Sequence, residues 1–134
     1  MESLDLESRE LWYTDNPLRS DERIDEIRER NGTLELPPII VYTAAKFITC
    51  REGFSQRYAI VDGNRRAFVD GENRRMSKAR LLETDEDLEE VLKELGPKHG
   101  LIREQITTLD QLDNSLYARL QQRYRRGEII SYEF

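Results

Sequence analysis

Eleven consecutive residues, Tyr58 to Phe68, carry a strand pattern and a helix pattern hinged on one turn. Tyr58-Ala59-Ile60-Val61 is a short apolar run with β-branched residues, and it stops at Asp62-Gly63. Asn64-Arg65-Arg66 follow, then Ala67-Phe68-Val69. The pattern predicts a strand, a tight turn and a short helix over about residues 64–70, with both arginines in its first turn. That turn has backbone N–H groups without intrahelical partners and the positive end of the helix dipole. Two guanidinium forks placed there make an anion site, most naturally for phosphate. A plainer reading stands beside it. Gly63 supplies a permitted φ angle, and the arginines are surface residues paired with nearby acids.

The elements around this stretch can be read in order. Residues 1–15 mix acids with Leu4, Leu6, Leu11, Trp12 and Tyr13, which predicts an irregular or short-strand beginning with Trp12 and Tyr13 on the core. Asn16-Pro17-Leu18-Arg19 is a turn. Ser20 is a good N-cap for a largely solvated helix over 21–31, with Ile24 and Ile27 as its apolar stripe and Asn31-Gly32 as its stop. Pro37-Pro38 lead into Ile39-Ile40-Val41-Tyr42, the best buried strand in the chain. Residues 43–56 are ambiguous: Phe47-Ile48-Thr49-Cys50 fits a strand or a helical turn, and Arg51-Glu52-Gly53 is a turn. Asp70-Gly71-Glu72-Asn73 is expected to break the helix at 64–70, and Met76 to Glu83 reads as an edge strand. Thr84 with Asp87 forms a capping box ahead of Leu88, Val91, Leu92 and Leu95, and Gly96-Pro97 ends that helix. Thr107 with Asp110 signals a second cap. Leu109, Leu112, Leu116, Leu120 and Tyr124 then run as a stripe to about residue 126, with Gly127 as the stop. Ile129-Ile130-Ser131-Tyr132 is a last strand or a tail. The sum is an α+β fold: a small mixed β-sheet with short helices, followed by two C-terminal helices. A length of 134 residues suits one domain, with a core over about 5–85 and a helical extension over about 85–126.

Charge narrows the function classes. The net charge of −6 argues against a general nucleic-acid coat. The charge is segregated, however: residues 57–80 hold seven Lys or Arg and three acids, and residues 81–94 hold seven acids and one lysine. The single cysteine, Cys50, cannot form an intrachain disulfide and reads as a buried or incidental thiol, and no Cys/His cluster suits zinc. The single histidine, His99, sits in a Gly-Pro-Lys-His-Gly loop with no assigned role. No signal peptide, lipidation site or membrane span is visible, so a cytoplasmic location is the default expectation.

The order Asn16-Pro17 with Arg19, helix 21–31, Pro37-Pro38-Ile39-Ile40-Val41, Tyr58-Ala59-Ile60-Val61 and Gly63-Asn64-Arg65-Arg66 resembles the ParB/sulfiredoxin superfamily, specifically the N-terminal domain of ParB-like proteins. The resemblance covers about residues 5–85. That family carries a Gly-x-Arg-Arg or Gly-x-His-Arg turn between a strand and a helix. The resemblance implies binding of a nucleoside triphosphate, ATP or CTP with Mg²⁺, and possible NTPase or phosphotransfer activity. It carries Gly63, Asn64, Arg65 and Arg66 over as the phosphate-binding turn, with Asn16 and Arg19 closing over the nucleotide. Asp62 matches the Asp of Asp-Gly-x-His-Arg relatives and is the catalytic or magnesium-partner candidate. Asn64 stands where sulfiredoxin has its catalytic cysteine, which removes that chemistry. The roughly 50 residues after position 85 show no helix-turn-helix of ParB type.

Two rival readings use other residues. Arg74, Arg75, Lys78 and Arg80 fit a DNA-binding or nuclease-like module, or simply a solvated edge strand whose charges discourage edge pairing. The leucine stripe of the last helix fits the core, or an interface for a homodimer or a protein partner in a non-catalytic regulatory domain. Arg119, Arg123 and Arg126 lie opposite that stripe, where cations suit a helix C-terminus. The acid run from Glu83 to Glu90 reads as a capped, solvated helix start, with no metal-ligand spacing.

Overall fold

Ile39-Ile40-Val41 is apolar at every position because the strand it forms is covered on both faces. The computed structural model describes residues 1–19, 21–30, 36–44, 46–47 and 56–134. In chain order these form β1 (Glu2–Leu6), a 3-10 turn (Ser8–Glu10), β2 (Leu11–Trp12), α1 (Asp21–Arg30), β3 (Ile39–Tyr42), β4 (Tyr58–Asp62) and α2 (Asn64–Glu72). Then come β5 (Ser77–Leu81), α3 (Asp85–Glu94), α4 (Gly100–Arg103) and α5 (Leu109–Arg125). The strands make a five-stranded mixed sheet in the order β1-β5-β3-β4-β2. Pairs β1/β5 and β3/β4 are antiparallel, and pairs β3/β5 and β2/β4 are parallel. The fold is therefore α+β, with helices on both sides of the sheet. No helix of the described residues is long and apolar enough to cross a membrane.

Side-chain alternation along the strands sorts the core into two layers. Ile39, Val41, Ile60 and Ala79 point to one face, where Ile24 of α1 and Ala67, Phe68 and Val69 of α2 pack on them. Ile40, Ala59, Val61 and Trp12 point to the other, against Leu88 and Val91 of α3, Leu101 of α4 and Leu112, Leu116 and Leu120 of α5. The last helices thus form the second layer of the sheet, and the leucine stripe is core. Tyr124 at its end is exposed. The helix at 21–30 is largely solvated, as expected, and its apolar stripe is what packs: Ile24 is fully buried under β3 and β4, with Ile27 partly buried beside it.

Three local expectations change, and one open alternative is decided. The strand at 77–81 is not an edge strand: β5 lies between β1 and β3, and the edge is β1. Its charges fit there because Lys78 stays exposed and Arg80 reaches Glu94 of α3, while Ser77, Ala79 and Leu81 face inward. The helix at 64–70 runs on through Asp70-Gly71 to Glu72. Gly71 is kept in it by packing, since the Phe134 ring occupies the space a Cβ would fill. The cap of the last helix is Thr108 with Gln111, one residue beyond the expected pair. Residues 129–134 are a tail that straps across the domain, not a strand. Tyr13 N–H donates to the Ile130 carbonyl at 2.7 Å. Tyr132 sits edge-on to Tyr13 and Phe68, with ring centroids 4.8 and 5.0 Å away. Other features agree with the sequence: Thr84 and Asp87 form a reciprocal capping box, and Gly127 ends α5 at φ +73°. Cys50, the Ser20 cap, the Asn31-Gly32 stop, the 48–50 stretch and the Arg51-Glu52-Gly53 turn lie outside the described residues.

The stripe's place in the core sets a test. Leu120→Ala, at a fully buried position, should lower unfolding free energy by about 2–5 kcal/mol. The denaturation midpoint should be the same at low and high protein concentration. Tyr124→Ala should stay within about 0.5 kcal/mol of wild type. A Leu120→Ala loss that appears only on dilution would instead assign the stripe to an interface.

Candidate functional site

The Asp62-Gly63 turn is built from a conformational need and a spatial one. Gly63 has φ +104°, in the left-handed region, and a Cβ there would lie 2.6 Å from Ile39 Cγ2 and 2.9 Å from Arg66 Nη2. The turn lifts the chain off the carboxyl end of β4 into α2, leaving the N–H groups of Asn64, Arg65 and Arg66 in the helix's first turn. The parallel neighbour β2 ends beside it and continues into the loop at 13–19. Asn64 joins the two segments. Its Oδ1 accepts from the N–H groups of Thr14 (3.0 Å) and Asp15 (3.3 Å), and its Nδ2 donates to Thr14 Oγ1. The Thr14 hydroxyl in turn donates to the Ile60 carbonyl at 2.5 Å. The Asn64 side chain is therefore a staple between loop and turn, and what it offers a ligand is its backbone N–H.

Between these segments and the C-terminal helices lies a cleft of about 880 Å³. Asp62, Gly63, Asn64, Arg65 and Arg66 line one wall, and Asn16 and Arg19 the loop beside it. The opposite wall is Lys98 and His99 before α4, Gly100 and Arg103 of α4, Arg119, Gln122 and Arg123 of α5, and Arg126 at its end. Among the described residues, nine Lys or Arg side chains and four carboxylates line this one cleft, on a chain whose net charge is −6. The structure thus brings the sequence-predicted residues 16, 19 and 62–66 together. It adds a second basic wall that sequence spacing did not reveal.

The cations differ in what they already hold. Arg66 donates to Asp62 Oδ2 at 2.9 Å and to the Pro37 carbonyl at 3.0 Å. Arg19 pairs with Asp15 at 3.3 Å, and Asn16 Oδ1 accepts from Leu18 N–H within its own turn. Arg119 pairs with Glu104. Arg123 departs most from expectation. It is buried rather than solvated, donating to the Tyr13 and Ile129 carbonyls, with Glu128 at 3.6 Å. By contrast, the side chains of Arg23, Arg65, Lys98, Arg103 and Arg126 have no hydrogen bond or ion pair among the described residues. Arg65 Nε is shielded from solvent as well as unpartnered. A shielded donor without an acceptor costs free energy unless a ligand supplies one.

Asp62 is the hub of the floor. Besides Arg66, it meets His99 Nε2 at 3.3 Å through Oδ1. His99 Nδ1 accepts the Leu101 N–H at 3.2 Å and so caps α4. The ring proton therefore sits on Nε2 and is donated to Asp62. The His99 hydrogen bond lowers the Asp62 carboxyl pKa; partial burial opposes it and the Arg66 guanidinium reinforces it. A carboxylate held anionic in this way is a weak proton acceptor. Its geometry suits positioning Arg66 and the His99 loop. His99 was missed as a site residue because the 37 positions separating it from Asp62 leave no spacing signal. Its place between two helix ends, in a loop beginning Gly-Pro, was the available hint.

The second basic cluster does not join this cleft. Arg80 forks onto Glu94 at 2.5 and 3.3 Å, and Arg74 and Arg75 line a separate shallow cleft with Glu7, Arg9 and Glu133. Among the described residues, no group of three or more His, Cys, Asp or Glu is placed to hold a metal ion. No protein-family model matches the chain, and no curated protein matches it.

The hub predicts a pH signature. Asp62→Asn should lower stability by about 1–3 kcal/mol at pH 7, because Arg66 loses its counter-charge. The folded-state pKa is below the unfolded value, so this stabilisation is present above about pH 4. It is lost as pH falls through the folded pKa. Urea midpoints for both proteins at pH 7, 5 and 3 should converge at the acid end. A constant gap would remove Asp62 from this role.

Proposed function

We propose that this chain is a nucleoside-triphosphate-binding domain of ParB/sulfiredoxin type. The observation that carries the reading is the basic cleft centred on the first turn of α2, in a chain that is acidic overall. Its position agrees with the tendency of ligands to sit beyond the carboxyl ends of parallel strands, here β2 and β4. First-turn N–H groups, the helix dipole and the unpartnered Arg65 all favour a phosphate. The motif order supports the same reading: Gly63-Asn64-Arg65-Arg66 follows a strand, and the loop with Asn16 and Arg19 lies beside it. The fold type rests on that order together with the mixed sheet.

In this reading Arg65 and the N–H groups of residues 64–66 take the terminal phosphates. Arg66 is held in place by Asp62 and closes the side nearest Pro37. Asp62 works as a positioning group, and its two oxygens are already engaged by Arg66 and His99. These residues do not build a magnesium cage, so Mg²⁺ would be carried in on the phosphates. Binding is the core of the proposal; hydrolysis or phosphoryl transfer would be a further property.

Calorimetric titration of ATP and of CTP, each with Mg²⁺, tests it on wild type and Arg65→Ala. Loss of a charge-assisted contact should weaken binding at least about tenfold. The proposal fails if neither nucleotide binds, or if Arg65→Ala binds both as wild type does.

A further inference from the structure

Five cations without a partner among the described residues sit on three sides of one cleft, and only one of them, Arg65, belongs to the phosphate turn. Lys98 and Arg103 come from the α4 region, Arg126 from the end of α5 and Arg23 from α1. A single terminal phosphate at the α2 turn would leave most of that charge unanswered. Like charges gathered around one space repel each other, so the arrangement is stabilised by whatever anion spans it. Among the described residues, the apolar side chains lining the cleft are only Ile27 and Val61, and polar and charged groups make up nearly all the rest. A nucleobase normally needs an apolar or aromatic surface to stack on. This lining rewards the phosphate chain and gives a base little.

We propose that the group recognised in this cleft is a linear phosphate chain of three or more units, gripped from both walls and read without regard to any attached base. The chain could be free inorganic polyphosphate or the 5′ chain of a nucleotide; the chemistry recognised is the same. The α2 turn with Arg65 takes one end, and Arg103 and Arg126 take the other. This deepens the nucleotide-binding reading and rests on it, because both use the α2 turn.

The test is a titration series on the full chain with orthophosphate, pyrophosphate, tripolyphosphate, AMP, ATP and CTP at fixed ionic strength. Affinity should rise with phosphate number, with tripolyphosphate, ATP and CTP within about threefold of each other and AMP weaker by about a hundredfold or more. Arg103→Ala/Arg126→Ala, both at exposed positions, should weaken tripolyphosphate at least about tenfold while leaving the melting temperature in place. ATP or CTP binding tenfold tighter than tripolyphosphate would overturn the base-indifferent grip and leave nucleotide binding intact. Unchanged tripolyphosphate affinity in the double variant would overturn the two-walled grip alone. No binding by any of the six compounds would remove both readings.

Discussion

A sheet this small becomes stable only by covering both of its faces, and that constraint organises everything else. β3 is four residues long and buried on both sides. The N-terminal part of the chain supplies α1 and α2 for one face and, among the described residues, little beyond Ala44 and Phe47 for the other. The second layer therefore has to come from residues 85–130, where capped helices carry leucines at helical spacing. Covering the sheet brings the end of α5 over the carboxyl ends of β2 and β4. The far wall of the cleft is thus a by-product of hydrophobic burial, and its arginines arrive where the α2 turn already points backbone N–H groups.

The electrostatics follow the same division. Most acids sit on outer surfaces, as in the first turn of α3, where Asp85, Glu86 and Asp87 complement the helix dipole. Several outward cations are neutralised locally, such as Arg28 by Glu72 and Arg80 by Glu94. Among the described residues the cleft reverses this pattern, with cations outnumbering acids and several left unpartnered. Net charge describes the whole chain and hides such a reversal, because a cleft focuses the field of the few residues that line it.

What was legible in the sequence was local. The strand–turn–helix at 58–68 carried its signal in consecutive residues, and so did the Thr84 box and the Gly127 stop. Elements whose fate depends on a distant neighbour were not legible. Residues 77–81 look like an edge strand because Lys78 and Arg80 alternate with small residues, and nothing local announces that Glu94 will answer Arg80 while β1 pairs alongside. Gly71 looks like a helix break until Phe134 is seen to fill the missing side chain's space. Arg123 reads as a dipole-friendly surface cation, and only the tertiary fold brings two backbone carbonyls to its guanidinium. His99 and the α5 arginines were hidden from the site for the same reason. Their partners lie tens of residues away, and propensity and periodicity hold no record of that.

The tail strap has a consequence in time as well as space. Arg123 grips the Tyr13 carbonyl across 110 residues of sequence, and Ile130 accepts the Tyr13 N–H across a similar span. The loop after β2, which forms one rim of the cleft, is therefore fastened by groups that leave the ribosome more than 100 residues after it. Sheet and first helix layer can assemble while the chain is growing, but the rim has to wait. Contacts of such separation carry a large loop-closure cost and form late. A nascent chain would thus hold the α2 turn with its neighbouring rim unfastened, open on one side, until residues 123–130 arrive and shut the cleft into shape.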